Sequence, residues 1–174
     1  MPTVDATVKG TGANSYVTLA EASSFHAESV YGSAWAAYSS TQQGLAVITA
    51  TRMLDDYVDW SGYKATDEQA LRWPRYGVDD RDGYYFEDDQ IPTFLVNATS
   101  EFAKYILDNI GTDITASPDT KGFKSLQADV LRIEVDKADR DSDSVLPQGI
   151  VVMVEPYGTV RTKSGFTTAE VVRS

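Results

Sequence analysis

The sequence predicts a mainly α fold: a small helical bundle with a minor β element and extended N- and C-terminal arms. Three observations carry this expectation. Apolar residues recur at helical spacing in two long stretches, Val47, Ala50, Leu54 and Tyr57, then Leu95, Ala98, Phe102, Tyr105 and Ile106. Helix-start residues stand just ahead of the helical stretches, Thr18, Ser40 or Thr41, and Pro92. Alternation of apolar and polar residues is confined to one region, around 125–136.

Residues 1–17 read as an extended arm. Thr, Val, Gly and Asn dominate, and Gly10-Thr11-Gly12 breaks any regular element. A helical domain over 18–158 follows. Thr18-Leu19-Ala20-Glu21 forms a capping box, with Thr as N-cap and Glu three residues on, and opens a helix from Leu19 to about Val30. Ala22 and Phe25 share its apolar face, and Gly32 ends it. The second helix, capped by Ser40 or Thr41, runs to about Trp60. Asp55, Asp56 and Asp59 lie near its C-terminal end, where the helix dipole disfavours anions, so they are expected on a solvated face.

Thr66 or Asp67 caps a short helix through Glu68, Gln69 and Leu71, which Pro74 stops by pushing Trp73 out of the helical region. Residues 76–90 form an acidic loop around the turn signal Asp82-Gly83. Pro92 suits the first turn of a third strong helix over 92–110, which Gly111 stops. From Ser125 to Asp136 the alternation predicts a strand, with its register unsettled at Val130-Leu131. Pro147 opens a short apolar segment, Ile150 to Val154, closed by Pro156-Tyr157-Gly158. Residues 159–174 read as a C-terminal tail anchored by Val160 and Phe166.

A chain of 174 residues with 42% hydrophobic content can build one domain with a real core. No apolar run approaches the roughly 18 residues that a membrane span needs. Met1 to Gly10 have neither the basic start nor the apolar stretch of a signal peptide, so a protein made in a cytosol is expected. There is no cysteine, which excludes disulfides and thiolate chemistry, and the one histidine, His26, excludes two-histidine metal motifs. Net charge is −11. Affinity for nucleic acid comes largely from bases that neutralise phosphates, so such a chain would have to gather its few bases on one face to bind it. The same acidity suits a surface past which DNA must slide, and equally solubility alone.

No catalytic, cofactor or metal site emerges. With Gly83 at the sixth position of a calcium loop, Val78 would occupy the first, where it cannot coordinate, and Asp89 the twelfth. Asp139, Asp141 and Asp143 have the right period, but Ser144 replaces the required Gly. His26 has no Gly-x-Ser-x-Gly partner motif, and no Gly-rich phosphate loop ending in Lys-Ser or Lys-Thr occurs. Asn97-Ala98-Thr99 matches a glycosylation sequon by chance, within a helix.

The distinctive block is Gln69-Ala70-Leu71-Arg72-Trp73-Pro74-Arg75. Trp-Pro between two arginines suits a rigid anchor for a neighbour. Arg72, Trp73, Arg75 and Tyr76, with Tyr84, Tyr85 and Phe86 nearby, also offer the aromatic-plus-arginine chemistry that holds single strands. Against that, residues 79–89 place six acids and one base beside the platform. In the packing alternative, Trp73 sits against the helix pair and the two arginines form salt bridges.

The motif order resembles a family of tailed-phage proteins labelled DnaT-like single-stranded-DNA-binding proteins, which are similar to head-completion or head-to-tail adaptor proteins. The resemblance rests on Ala13-Asn14-Ser15-Tyr16-Val17, Trp35, Ala50-Thr51-Arg52 with Leu54-Asp55, the 69–75 block, and Ile91-Pro92. It covers residues 13–110, and beyond Gly111 only Leu146-Pro147 through Pro156-Tyr157-Gly158 share it. It implies a structural, non-enzymatic protein of the phage neck. Such a protein is made in the host cytoplasm and assembles as a ring, of twelve copies, beneath the portal protein. Its partners would be the portal, copies of itself and a downstream tail or neck protein. Genomic DNA would pass through without specific binding, with no membrane contact. Arg72, Trp73, Arg75, Tyr76, Val160 and Phe166 are the expected interaction residues. The rival expectation is single-strand binding through Arg72, Trp73 and Arg75.

Overall fold

A computed structural model describes residues 3–110 and 144–161. It is mainly α with two small antiparallel strand pairs. Helix α1 spans Leu19–Ala27, α2 Gly32–Ala36, α3 Ser40–Tyr57, α4 Thr93–Asp108 and α5 Gln148–Val154. Strands β1 (Val58–Trp60) and β4 (Gly158–Val160) pair, as do β2 (Tyr63–Lys64) and β3 (Arg75–Tyr76). The expected strand over 125–136 and the stop at Gly111 lie outside the described residues.

Two capping boxes start the bundle. Thr18 and Glu21 satisfy each other's backbone N–H groups at α1, and Ser39 with Gln42 do the same at α3. Pro92 stands one place earlier than expected, as the N-cap of α4, and its carbonyl accepts from Leu95 and Val96. The core is the seam between α3 and α4, where Val47, Ala50 and Leu54 meet Leu95, Ala98 and Phe102, all fully buried or nearly so. Ala22 and His26 of α1 and Ile150 and Val154 of α5 close its sides.

Several elements differ from the sequence expectation, each for a local reason. Helix α1 stops at Ala27 rather than Val30, and Val30 is 89% exposed. Gly32 starts α2 instead of only ending α1, because Gly32 lies so close to the His26 carbonyl that a Cβ would stand 2.7 Å from it. Trp35 of α2 is thereby buried against α1, with its indole N–H donating to Ser23. Tyr105 points outward, while Lys104 is buried, its ammonium paired with Asp108 and lying over the Tyr31 ring.

Helix α3 ends at Tyr57, since Val58–Trp60 is drawn into pairing with β4. The predicted helix at 66–71 does not form. Thr66 and Gln69 do exchange the capping-type bonds, but the Gln69 amide goes on to hold the carbonyls of Leu71 and Pro74, closing a loop instead. The Trp73-Pro74 peptide is cis.

The N-terminal segment carries no helix or strand from Thr3 to Val17, yet it is not a free arm. The Asp5 carbonyl accepts from Asn14 and Ser15, the Gly10 carbonyl accepts from Ala70, and the Tyr16 N–H donates to Thr51 of α3. Ser15, Tyr16 and Val17 are buried. The C-terminal boundary also moves: residues 158–160, not a tail from 159, belong to the fold through β4.

His26 gives the bundle a pH dependence. It is fully buried, stacked on Trp35 at 4.5 Å, and its Nε2 lies 3.0 Å from the Ser100 carbonyl of α4. Nδ1 has no partner among the described residues. Burial pushes its pKa down and Lys104 adds to this, against the Ser100 carbonyl, Glu101 and Asp108. The unfolded chain therefore takes up a proton that the folded one resists, so the contribution is intact above the ordinary value of 6.5 and is lost as pH falls below it. Urea denaturation should show a stability that drops between pH 6.5 and the carboxylate range, and His26→Gln should flatten that limb. An unchanged limb in the variant would remove His26 as its source.

Candidate functional site

The 69–76 block is built inward. Trp73 is 1% exposed. Its ring packs edge-to-face on Trp60 at 5.7 Å, Phe86 at 5.8 Å and Phe94 at 5.4 Å. Tyr157 extends the cluster by stacking on Phe94 at 3.8 Å. The cluster thus joins β1, the acidic loop, the start of α4 and the segment after α5. The Trp73 indole N–H meets no acceptor among the described residues, so packing alone fixes the ring.

Arg75 is 8% exposed and donates only to main-chain carbonyls. Nε reaches Ser61 at 2.6 Å, one terminal nitrogen reaches Arg72 at 3.0 Å, and the other reaches Gly62 at 2.6 Å and Trp60 at 3.3 Å. The planar five-donor fork suits this arrangement, in which one side chain satisfies the turn between β1 and β2 and the loop before β3. Burial lowers its pKa. The expected salt bridges of Arg72 and Arg75 are therefore corrected: neither is found with a carboxylate among the described residues. The Arg72 side chain is exposed, and its backbone N–H donates to Asp55 at 3.1 Å.

Asp55 corrects a second expectation. It is half-buried rather than solvated, and it accepts from the Tyr16 hydroxyl as well as from Arg72. Burial raises the Asp55 carboxyl, and burial with the Asp55 charge drives the Tyr16 hydroxyl well above its usual value, which keeps Tyr16 a donor. Asp59 is exposed but held by a bidentate pair with Arg161, 2.6 and 2.9 Å, which secures the strand β4. Nothing in residue type marked Tyr16 or Asp55 as partners 39 positions apart.

The remaining expected residues divide. Tyr76 is exposed, and its hydroxyl donates to Asp88, which also pairs with Lys9 at 2.8 Å. Val160 is half-buried opposite Val58 in β4, a strand contact rather than a free anchor. Phe166 lies outside the described residues. Trp73 and Arg75 are thus brought together as structure, and of the five expected residues that are described, Arg72 and Tyr76 stay fully on the surface.

That surface carries four tyrosines, Tyr63, Tyr76, Tyr84 and Tyr85, exposed between 51% and 79%. Tyr63 and Tyr76 are cross-strand partners in β2 and β3. Tyr84 and Tyr85 rise from the acidic loop, which closes through the Asp79–Tyr85 bridge. The Asp80 carboxylate is spent partly inside this loop, accepting from the N–H groups of Asp82 and Tyr84. Beside it opens a groove of about 320 Å³, floored by Phe86, Phe94 and Tyr157 and edged by Asp80, Ile91 and Thr93. Sequence reasoning missed this groove because its walls come from three separated segments. Among the described residues, no group of three or more His, Cys, Asp or Glu side chains could hold a metal ion, and no helix is long and apolar enough to cross a membrane.

A family model described as "Putative DnaT-like ssDNA binding protein" matches residues 3–174, and the chain belongs to that family. No curated protein and no solved structure matches it.

Burial of Trp73 makes its truncation a folding lesion. Trp73→Ala should lower unfolding stability by about 3–5 kcal/mol, the cost of removing a buried aromatic and leaving its cavity. Arg75→Met should cost more than the roughly 1–3 kcal/mol of one orphaned acceptor, since four carbonyls lose their donor. Thermal and urea denaturation check both. A Trp73→Ala protein of wild-type stability would show that the ring is not the anchor.

Proposed function

We propose that this family member is a structural, non-enzymatic adaptor of the tailed-phage neck, joining portal and tail as a ring and letting DNA pass without specific binding. The observation that carries this reading is the burial of Trp73 and Arg75 within the fold. With them withdrawn, the accessible face around the block is acidic and tyrosine-rich. Tyrosine is enriched where proteins meet, whereas acid repels phosphate. A net charge of −11 suits a conduit wall that DNA must not grip. A ring needs unlike faces on each subunit, and the acidic loop of one copy would lie toward basic groups of a neighbour or of the portal, exposed Arg72 among them. Surface charge alone is weak, so a portal template would drive closure. Arg75 cannot share that role, since its donors are already committed.

Mass spectrometry of purified particles should find the protein in mature virions. Sedimentation should show a small free species that enters a ring-sized complex when portal is added. A stable two-fold dimer unchanged by portal would defeat the ring.

Single-strand binding is the second reading, favoured by the family's description and by the exposure of Arg72 and of Tyr63, Tyr76, Tyr84 and Tyr85. Under this reading, stacking falls to the tyrosines instead of Trp73. Titration with a labelled oligonucleotide at low salt separates the two. The adaptor reading expects no saturable binding. Tight binding that collapses with salt and is lost in Tyr84→Ala/Tyr85→Ala would establish the other.

A further inference from the structure

The C-terminal segment of the chain carries residues whose chemistry matches the aromatic groove beside the acidic loop. Phe86, Phe94 and Tyr157 floor it, and Asp80 stands at its edge among the acids of 79–89. At about 320 Å³ it is at the small end of binding pockets, the right scale for one bulky apolar side chain with its flanks. The C-terminal segment 162–174 carries two bases and one acid in an otherwise acidic protein. Its first base and its only aromatic are three residues apart, Lys163 and Phe166.

The path of β4 decides whose segment fits. Tyr157 lines the groove, and Gly158 pairs with Trp60 at the aromatic end of β1. The strand then runs away from the groove, so that the Arg161 N–H donates to Tyr57 at the opposite end of β1. Four residues of strand put Arg161 about 13 Å from the Tyr157 position. Five residues span at most about 17 Å fully extended. A chain that had to reverse first, spending four residues on a turn, would leave Phe166 short of its own groove.

We propose that the groove receives Phe166 from a second copy of the chain, with Lys163 of that segment facing Asp80. The segment of one subunit and the groove of the next are unlike surfaces, so the contact is heterologous and repeats around a ring. The inference rests on the ring reading above for its repetition, not for the pairwise contact.

The chain contains no cysteine, so disulfide trapping reads the contact directly. Full-length Thr93→Cys, at the exposed groove edge, is mixed with full-length Thr167→Cys and oxidised. Mixed dimers should form and increase with protein concentration, and adding Phe166→Asp to the second chain should cut their yield about tenfold. Circular dichroism of that variant should match the parent, since the change lies outside the helices and strands described.

Two results would overturn the assignment. One is a mixed-dimer yield no higher than with Val30→Cys, an exposed control, in place of Thr93→Cys. The other is a Thr93→Cys/Thr167→Cys double variant that closes within one chain at a yield independent of concentration. Sedimentation of the same samples with portal keeps the two ideas apart. Rings without mixed dimers sink the groove assignment alone. Mixed dimers without rings leave the groove contact standing and sink the ring.

Discussion

Edge-to-face packing around Trp73 is the constraint on which the other elements lean. The ring touches Trp60 at the end of α3's extension, Phe86 in the acidic loop and Phe94 in the first turn of α4. Through Phe94 it reaches Tyr157, and so the strand that closes on β1. Segments from Trp60 to Tyr157 therefore share one apolar centre. The α3–α4 seam is an ordinary helix interface. What fixes the irregular half of the molecule on it is this cluster, because two- and three-residue strands have little stability of their own.

Around that centre the polar groups are sorted by whether their partners are backbone or solvent. Gln69 and Arg75 spend their donors on main-chain carbonyls of the surrounding loops. Asp55 accepts from a buried hydroxyl and a loop N–H, which ties the N-terminal segment and the Trp-Pro block to the same carboxylate. Such contacts cost desolvation, and they are kept where backbone would otherwise be orphaned. The outward face is left with charge and tyrosine, where Lys9, Tyr76 and Asp88 are knit together and Arg161 pairs with Asp59.

Much of the helical half was legible in the sequence. The capping signals at Thr18 and the periodicities from Val47 and Leu95 are local properties, and local properties survive folding. Trp73 was legible as a rigid anchor but was expected to hold a neighbour, with packing as the alternative; Trp60, Phe86 and Phe94 draw it inward. What was not legible depended on distant partners. Val58–Trp60 continues a helical pattern until β4 arrives from a hundred residues away. Thr66 to Gln69 looks like a helix start, and only the carbonyls of Leu71 and Pro74 divert it. Tyr16 and Val17 sit in a polar, glycine-broken stretch that gives no sign of burial until α3 supplies Thr51 as partner. The groove was hidden for the same reason, its floor being shared by the loop, α4 and the segment after α5.

The carbonyl cage of Arg75 sets how the block responds to its surroundings. A guanidinium keeps its proton across the ordinary pH range, and its partners here are neutral dipoles that never titrate. Dissolved salt screens exposed ion pairs such as Arg161 with Asp59, but it has little access to a cation enclosed by main chain. Acid that discharges carboxylates leaves this clamp untouched. The turn between β1 and β2 and the loop ahead of β3 are thus held by a contact indifferent to brine and acidity alike, while the charged rim of the molecule answers to both.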